Sequence, residues 1–148
     1  MDVKSTIAEI LKREGTEILC CYPQNPIVEA AAQADIRTIV VRQERTGAHM
    51  ADAISRITSG DKVGVFAMQR GPGTENVFGG VAQAFAESVP MVVLPSGNGR
   101  AESQILPNFN TARNFAPITK WSEQLLVPEA TVHAMRRMFT QARNGRPG

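Results

Sequence analysis

Thr38-Ile-Val-Val-Arg-Gln-Glu-Arg-Thr-Gly-Ala-His-Met-Ala-Asp52 carries the transition that decides the fold. Its β-branched start reads as a short buried strand, Thr38–Val41. Its small-residue continuation reads as a helix over Glu44–Ile57, ended by Ser59-Gly-Asp61. A carboxylate, Glu44, stands where strand gives way to helix. In open α/β sheets the carboxyl ends of strands are where ligands bind, so this junction is placed for chemistry. A carboxyl group in a crowded apolar site has its charged form disfavoured and can exchange a proton near neutral pH.

The same alternation runs outward in both directions. Thr6 and Glu9 resemble a capping box before Ile7, Ile10 and Leu11, and Gly15 stops that helix. Glu17–Tyr22 reads as a strand, Pro23 and Pro26 as the turn out of it, and Ile27–Ala34 as a helix. Val63–Ala67 is a third strand, Gly71-Pro-Gly73 a tight turn, and Thr74–Glu87 the next helix. Pro90 leads into a fourth strand, Met91–Leu94. Ser96–Pro117, rich in Gly, Pro and Asn, reads as a long surface excursion with one helical turn, and such excursions are often functional. Ile118–Trp121 reads as a small strand or strand-like connector, and Pro128–Ala142 as the last helix. Short Val/Ile/Leu-rich runs between helices predict one three-layer, doubly wound α/β domain, its mainly parallel sheet covered by helices on both faces.

Composition narrows the function classes. The 148 residues suffice for one domain with a sizeable core. A net charge of +2, scattered along the chain, gives no basis for nucleic-acid binding. No apolar run approaches the roughly 20 residues of a membrane span, and Met-Asp-Val-Lys-Ser5 has no signal-peptide pattern. The two cysteines, Cys20 and Cys21, are neighbours in an apolar run and read as buried reduced thiols, which makes the cytoplasm the default compartment.

Each candidate site has a bland alternative. Glu44 suits a helix N-terminus on dipole grounds alone. Gly71-Pro-Gly-Thr-Glu-Asn76 offers a close backbone approach and a helix start that can hold an anion, yet it lacks the Gly-x-Gly-x-x-Gly and Gly-Lys-Ser/Thr patterns, so a plain turn and cap is the simpler reading. His49 and His133 lack the neighbours of a metal site, and His49 reads as a packing or interface histidine. The serines lack a nucleophile elbow. Trp121, Phe109 and Phe115 read as core or interface anchors.

Taken together, four segments resemble one family. Val41–Asp52 resembles the R-x-E-x-x-A-x-x-M-A segment of thiamine-diphosphate enzymes. Gly71-Pro-Gly-Thr-Glu-Asn76 resembles their G-P-G-x-x-N turn. Phe78–Leu94, with Ala84-Phe-Ala-Glu-Ser-Val-Pro90 inside it, resembles the A-x-x-D-S-x-P segment and the apolar strand that follows. Phe115-Ala-Pro-Ile-Thr-Lys-Trp-Ser122 resembles the F-x-x-x-T-K-W-S stretch. Four matches in order, over nearly the whole chain, point to the N-terminal pyrimidine-binding (PYR) domain of the acetolactate synthase-like group. That group includes decarboxylases, carboligases and 2-hydroxyacyl-CoA lyases.

The resemblance implies a set of expectations. Residues 1–148 would form the PYR domain of a lyase or carboligase acting on a 2-keto acid or related substrate. Glu44 would hydrogen-bond N1′ of the aminopyrimidine and favour the imino tautomer, whose nitrogen takes the proton from C2 of the thiazolium. Pro23, Gln24, Gly71, Pro72, Gly73 and Asn76 would help hold the pyrimidine end. Gln69, Arg70, Phe109 and Asn110 would face the substrate. The diphosphate and Mg²⁺ would be held by a second domain, on a Gly-Asp-Gly motif for which Gly60-Asp-Lys62 is no substitute. A flavin, present in some members, would sit in a middle domain. The active site would form against the diphosphate-binding domain of another subunit, in a homodimer or higher homo-oligomer paired through 45–57 and 74–87. The isolated chain would then be a fragment or a separate subunit, catalytically silent, with apolar surface that favours self-association.

The chain also departs from the pattern. Gln69-Arg70 stand where relatives carry Thr-Ser, and Cys20-Cys-Tyr-Pro-Gln24 where they carry Phe-Gly-x-Pro-Gly, so the latter loop is expected to take another shape. Phe109-Asn110 stand at a Phe-Gln position. These changes leave the substrate open. The rival reading is a non-catalytic flavodoxin-like binding or regulatory module, holding an anion on the Gly71–Asn76 turn. It would leave Glu44 in solvent or paired with Arg42 or Arg45.

Overall fold

The computed structural model describes residues 2–103 and 105–148. Four strands form one sheet in the order β2-β1-β3-β4, every neighbouring pair parallel. They are Ile18–Cys21 (β1), Arg37–Val40 (β2), Gly64–Met68 (β3) and Met91–Pro95 (β4). Helices Val3–Arg13 (α1), Ile27–Gln33 (α2) and Thr131–Arg143 (α7) cover one face. Glu44–Ile57 (α3) and Phe78–Ala86 (α5) cover the other. Between α3 and α5 lies the short helix Pro72–Asn76 (α4), and Thr111–Phe115 (α6) follows the last strand.

Strand alternation builds the two cores. On β1, Leu19 and Cys21 enter the first core while Cys20 enters the second; on β3, Val65 and Ala67 enter the first while Phe66 and Met68 enter the second. Leu11, Ile27, Met135 and Phe139 complete the first core, and Ala48, Ala51, Val77, Val81 and Phe115 the second. The Val, Leu, Ile, Phe and Met side chains among them each contribute about 1.5–3 kcal/mol on full burial. The two thiols point to opposite faces, and burial pushes Cys20 up to about 11 and Cys21 in the same direction. They are buried free thiols, as their apolar context predicts.

α3 carries the site's carboxylate, and small residues dock it. A Cβ on Gly64 would lie 1.8 Å from the Ala51 carbonyl oxygen, so helix and strand backbones nearly touch. Gly47, which stands at the first alanine of the family segment, leaves room for the Phe66 ring, 2.2 Å from where its Cβ would be. Ser55 ties three elements: its Oγ donates to the Pro90 carbonyl and accepts from the Gly64 N–H at 2.8 Å. The helix bounds match expectation, Glu44 to Ile57.

Four local readings need correction. The first helix starts a turn earlier than Thr6: Asp2 is its N-cap, accepting from the Ser5 N–H at 2.9 Å, which holds the Asp2 carboxyl below its usual range. The expected helix 74–87 is two, broken at Val77, with Pro72 starting the first from the N1 position. Ile118–Trp121 is not a strand; Ala116–Ile118 is a 3-10 turn, and Lys120 leaves it to bond the Gln141 and Asn144 carbonyls at the end of α7. The last helix begins as a 3-10 turn, Pro128–Ala130, before α7. The excursion after β4 holds one 3-10 turn, Arg100–Glu102, and α6; its Gln104 lies outside the described residues. Among the described residues no helix is long and apolar enough to cross a membrane.

Candidate functional site

The chain leaves β1 toward β2 on one side, and β3 lies on the other. The loops leaving β1 and β3 therefore diverge and open a crevice at the carboxyl ends of the strands. Asn25 braces it. Its buried Nδ2 donates to the carbonyls of Met68, at 2.9 Å, and Leu94, at 2.8 Å, the C-terminal ends of β3 and β4. Its Oδ1 accepts from the Ile27 N–H at 3.0 Å and so starts α2. Asn25 was not singled out from sequence; the signal was an Asn between two prolines, a turn-former with a side chain free to bond backbone.

Glu44 lies at the first turn of α3 and is only 4% exposed. Its carboxylate is held from two sides by neutral amides. Gln69 Nε2 donates to Oε1 at 3.2 Å, and Asn76 Nδ2 donates to Oε2 at 3.1 Å. Arg42 and Arg45 are exposed, and among the described residues neither bonds or ion-pairs with Glu44. The carboxylate is thus buried, oriented and without a cation, and its oxygens keep acceptor positions for a further donor. The solvent-exposed or arginine-paired Glu44 of the regulatory-module reading is not what the structure contains.

The glycine turn encloses this carboxylate. Gly71 has φ +63°, the left-handed region that favours glycine, with nothing within 4 Å of where a Cβ would stand. Pro72 then begins α4. A Cβ on Gly73 would lie 3.1 Å from Glu44 Oε1 and 2.3 Å from Gln69 Cγ, so only glycine lets the turn lie against both. Thr74, fully buried, donates from Oγ1 to the Gln69 carbonyl at 3.0 Å and locks the turn to the end of β3. The break at Val77 leaves Asn76 at the end of α4, from where it reaches Glu44.

The remaining sequence-predicted residues sort into two groups. Gln24, Gln69, Arg70, Gly71, Pro72, Phe109 and Asn110 line one open cleft of about 1210 Å³, whose other walls include Ser96 and Asn98, which sequence reading missed. Pro23 is exposed and does not line it. Gln24 stands where the family loop has its last glycine, and it adopts φ +70° itself. Phe109 packs edge-on to the buried Phe115, ring centres 6.4 Å apart, and Asn110 caps α6 through the Arg113 N–H at 3.0 Å, so both also hold structure. Trp121 is half-exposed rather than core, under the Arg137 guanidinium at 4.9 Å. His49 and His133 are exposed.

Residues 1–125 match the family described as thiamine pyrophosphate enzyme, N-terminal TPP binding domain. The chain belongs to this family. It is 33% identical over 96% of its length to a probable acetolactate synthase large subunit of Methanocaldococcus jannaschii, covering 24% of that protein. It is 34% identical over 82% of its length to the catabolic acetolactate synthase of Raoultella terrigena, covering 22%. With 2-hydroxyacyl-CoA lyase 2 of Xenopus laevis it shares 32% identity over 96% of its length, covering 22%. The chain thus spans about a quarter of the length of these curated relatives.

The residues of this thiamine-diphosphate domain leave a seat for a hydrogen-bonding group beside Glu44. A buried carboxylate with spare acceptor positions lies beside a turn whose glycines carry no side chain toward it and whose backbone is open at Gly71. That combination suits a flat, hydrogen-bonding heterocycle, and the two amides show that the carboxylate is already aimed by neutral groups.

Proposed function

We propose that this chain is the pyrimidine-binding half of a thiamine-diphosphate-dependent lyase or carboligase that acts on a 2-keto acid or related substrate. Within it Glu44 exchanges a proton with N1′ of the aminopyrimidine. The observation that carries the reading is the burial of Glu44 against two neutral amides, with no cation paired to it among the described residues. A carboxylate so placed binds a proton-bearing ring nitrogen strongly, because its burial weakens competition from water and, among the described residues, no arginine pairs with it.

The other residues have supporting roles. Gly71, Pro72 and Gly73 bring backbone to the ring without a side chain in the way, and Asn76 holds Glu44 in plane. Gln24, with Pro23 beside it in the chain, borders from the β1 side the cleft that Gly71 and Pro72 also line. Arg70, exposed on the cleft, supplies the positive charge that attracts a carboxylate-bearing substrate, and Phe109 and Asn110 shape the far wall. When bound, thiamine diphosphate supplies the electron sink that makes cleavage or formation of a bond next to a carbonyl feasible. The diphosphate, with Mg²⁺, is assigned to a second domain, contributed by another subunit of a homodimer or larger assembly. Phe78 at 38% exposure and Ile57 at 82% stand on the α3 and α5 side and are apolar surface for that pairing.

Hydrogen–deuterium exchange at C2 of the cofactor in the assembled enzyme tests the role of Glu44. Glu44→Gln keeps the shape and removes the proton, so exchange should slow by about a hundredfold or more. Exchange at the wild-type rate in Glu44→Gln would sink the role.

A further inference from the structure

Gln69 stands at the end of β3 with its backbone and its side chain both fixed. Thr74 Oγ1 holds its carbonyl at 3.0 Å, and its Cγ lies against Gly73, only 2.3 Å from where a Cβ would be. Its amide then ends on Glu44 Oε1, opposite the Asn76 amide on Oε2. This half-buried side chain is thus fixed at its carbonyl and at its tip, with its stem lying over Gly73. Chance surface contacts of glutamine are not built this way.

We propose that Gln69 is a positioning residue for Glu44: with Asn76 it forms a two-amide clamp that fixes the carboxylate plane for proton exchange at the pyrimidine. This rests on the reading of Glu44 given above. The clamp is neutral, which matters chemically. An arginine in the same place would fix the carboxylate equally well and would also neutralise it, holding it as a spent ion pair. An amide donates one hydrogen bond, leaves the charge available, and leaves the second acceptor position of Oε1 open. Gly73 belongs to the device because any side chain there would push Gln69 off the carboxylate.

Gln69→Met keeps the length of the side chain and removes the donor. In the assembled holoenzyme the expected result is a fall of about tenfold to a hundredfold in kcat and in C2 proton exchange, the scale of one lost bond to a charged group. The thermal midpoint should stay within about a degree or two of wild type, because no core side chain is changed, and KM for substrate should change less than kcat does. Gly73→Ala, which crowds both Gln69 and Glu44, should slow C2 exchange as well and, unlike Gln69→Met, lower the thermal midpoint. A cofactor-free readout is independent of activity: Gln69 side-chain amide protons in this chain should exchange slowly with solvent, and Glu44→Ala should speed them several-fold. C2 exchange at the wild-type rate in Gln69→Met overturns the clamp, as does a loss confined to KM, or fast amide exchange in the unaltered chain. The two claims separate cleanly: if Glu44→Gln itself leaves C2 exchange intact, the role of Glu44 has failed. If it abolishes exchange while Gln69→Met does not, only the clamp has.

Discussion

Glu44 shows what one residue's chemistry owes to its surroundings. As a letter it is a helix-start acid, of a kind found on many helices. In the fold it is buried beneath amides from two other elements, which a lone sequence position cannot announce. The segment around it was legible as a family resemblance, and that resemblance singled Glu44 out. The bond to Gln69 was not legible: nothing in the order of residues says that a cleft-lining side chain 25 positions away will also reach this carboxylate. Asn25 was missed for a related reason, since its partners are carbonyls on β3 and β4, far along the chain. Asn25→Ala removes both bonds and leaves the Met68 carbonyl only its Ser96 N–H partner. Chemical denaturation should show a loss of about 2–4 kcal/mol, and a change below about 0.5 kcal/mol would mean that water replaces the amide.

Elements were legible where periodicity was strong. The bounds of α3 and the existence of all four strands follow from alternation between apolar runs and small-residue helices. Misreadings fall where local patterns compete with tertiary contacts. Asp2 outcompeted Thr6 as the cap, and Ile118–Trp121, apolar enough for a strand, was drawn into anchoring α7 through Lys120. The docking of α3 depends on absent side chains, which hydrophobic patterning does not register. Gly64→Ala would drive a methyl into the Ala51 carbonyl and lift α3, with Glu44 at its head. Overpacking of this kind costs about 1–3 kcal/mol or more. Thermal melting should show a midpoint lower by several degrees, and an unchanged midpoint would mean that helix and strand part without cost.

At the scale of the whole molecule, order β2-β1-β3-β4 and two helical layers set a crevice between the loops after β1 and β3. The crevice brings together residues spread from Gln24 to Asn110. The doubly wound class was legible from the rhythm of the sequence; the joining of these residues in one cleft was not, because strand order is a property of the sheet and not of the chain. Within this account the molecule supplies tautomer control and a pyrimidine seat, and another domain supplies the diphosphate site. Calorimetric titration with thiamine diphosphate and Mg²⁺ tests that division most directly, first into this chain alone and then into the chain mixed with the diphosphate-binding domain of its enzyme. The account predicts binding heat only in the mixture, and weaker binding when the chain carries Glu44→Gln. Tight Mg²⁺-dependent binding to the chain alone, or no binding in the mixture, would contradict it.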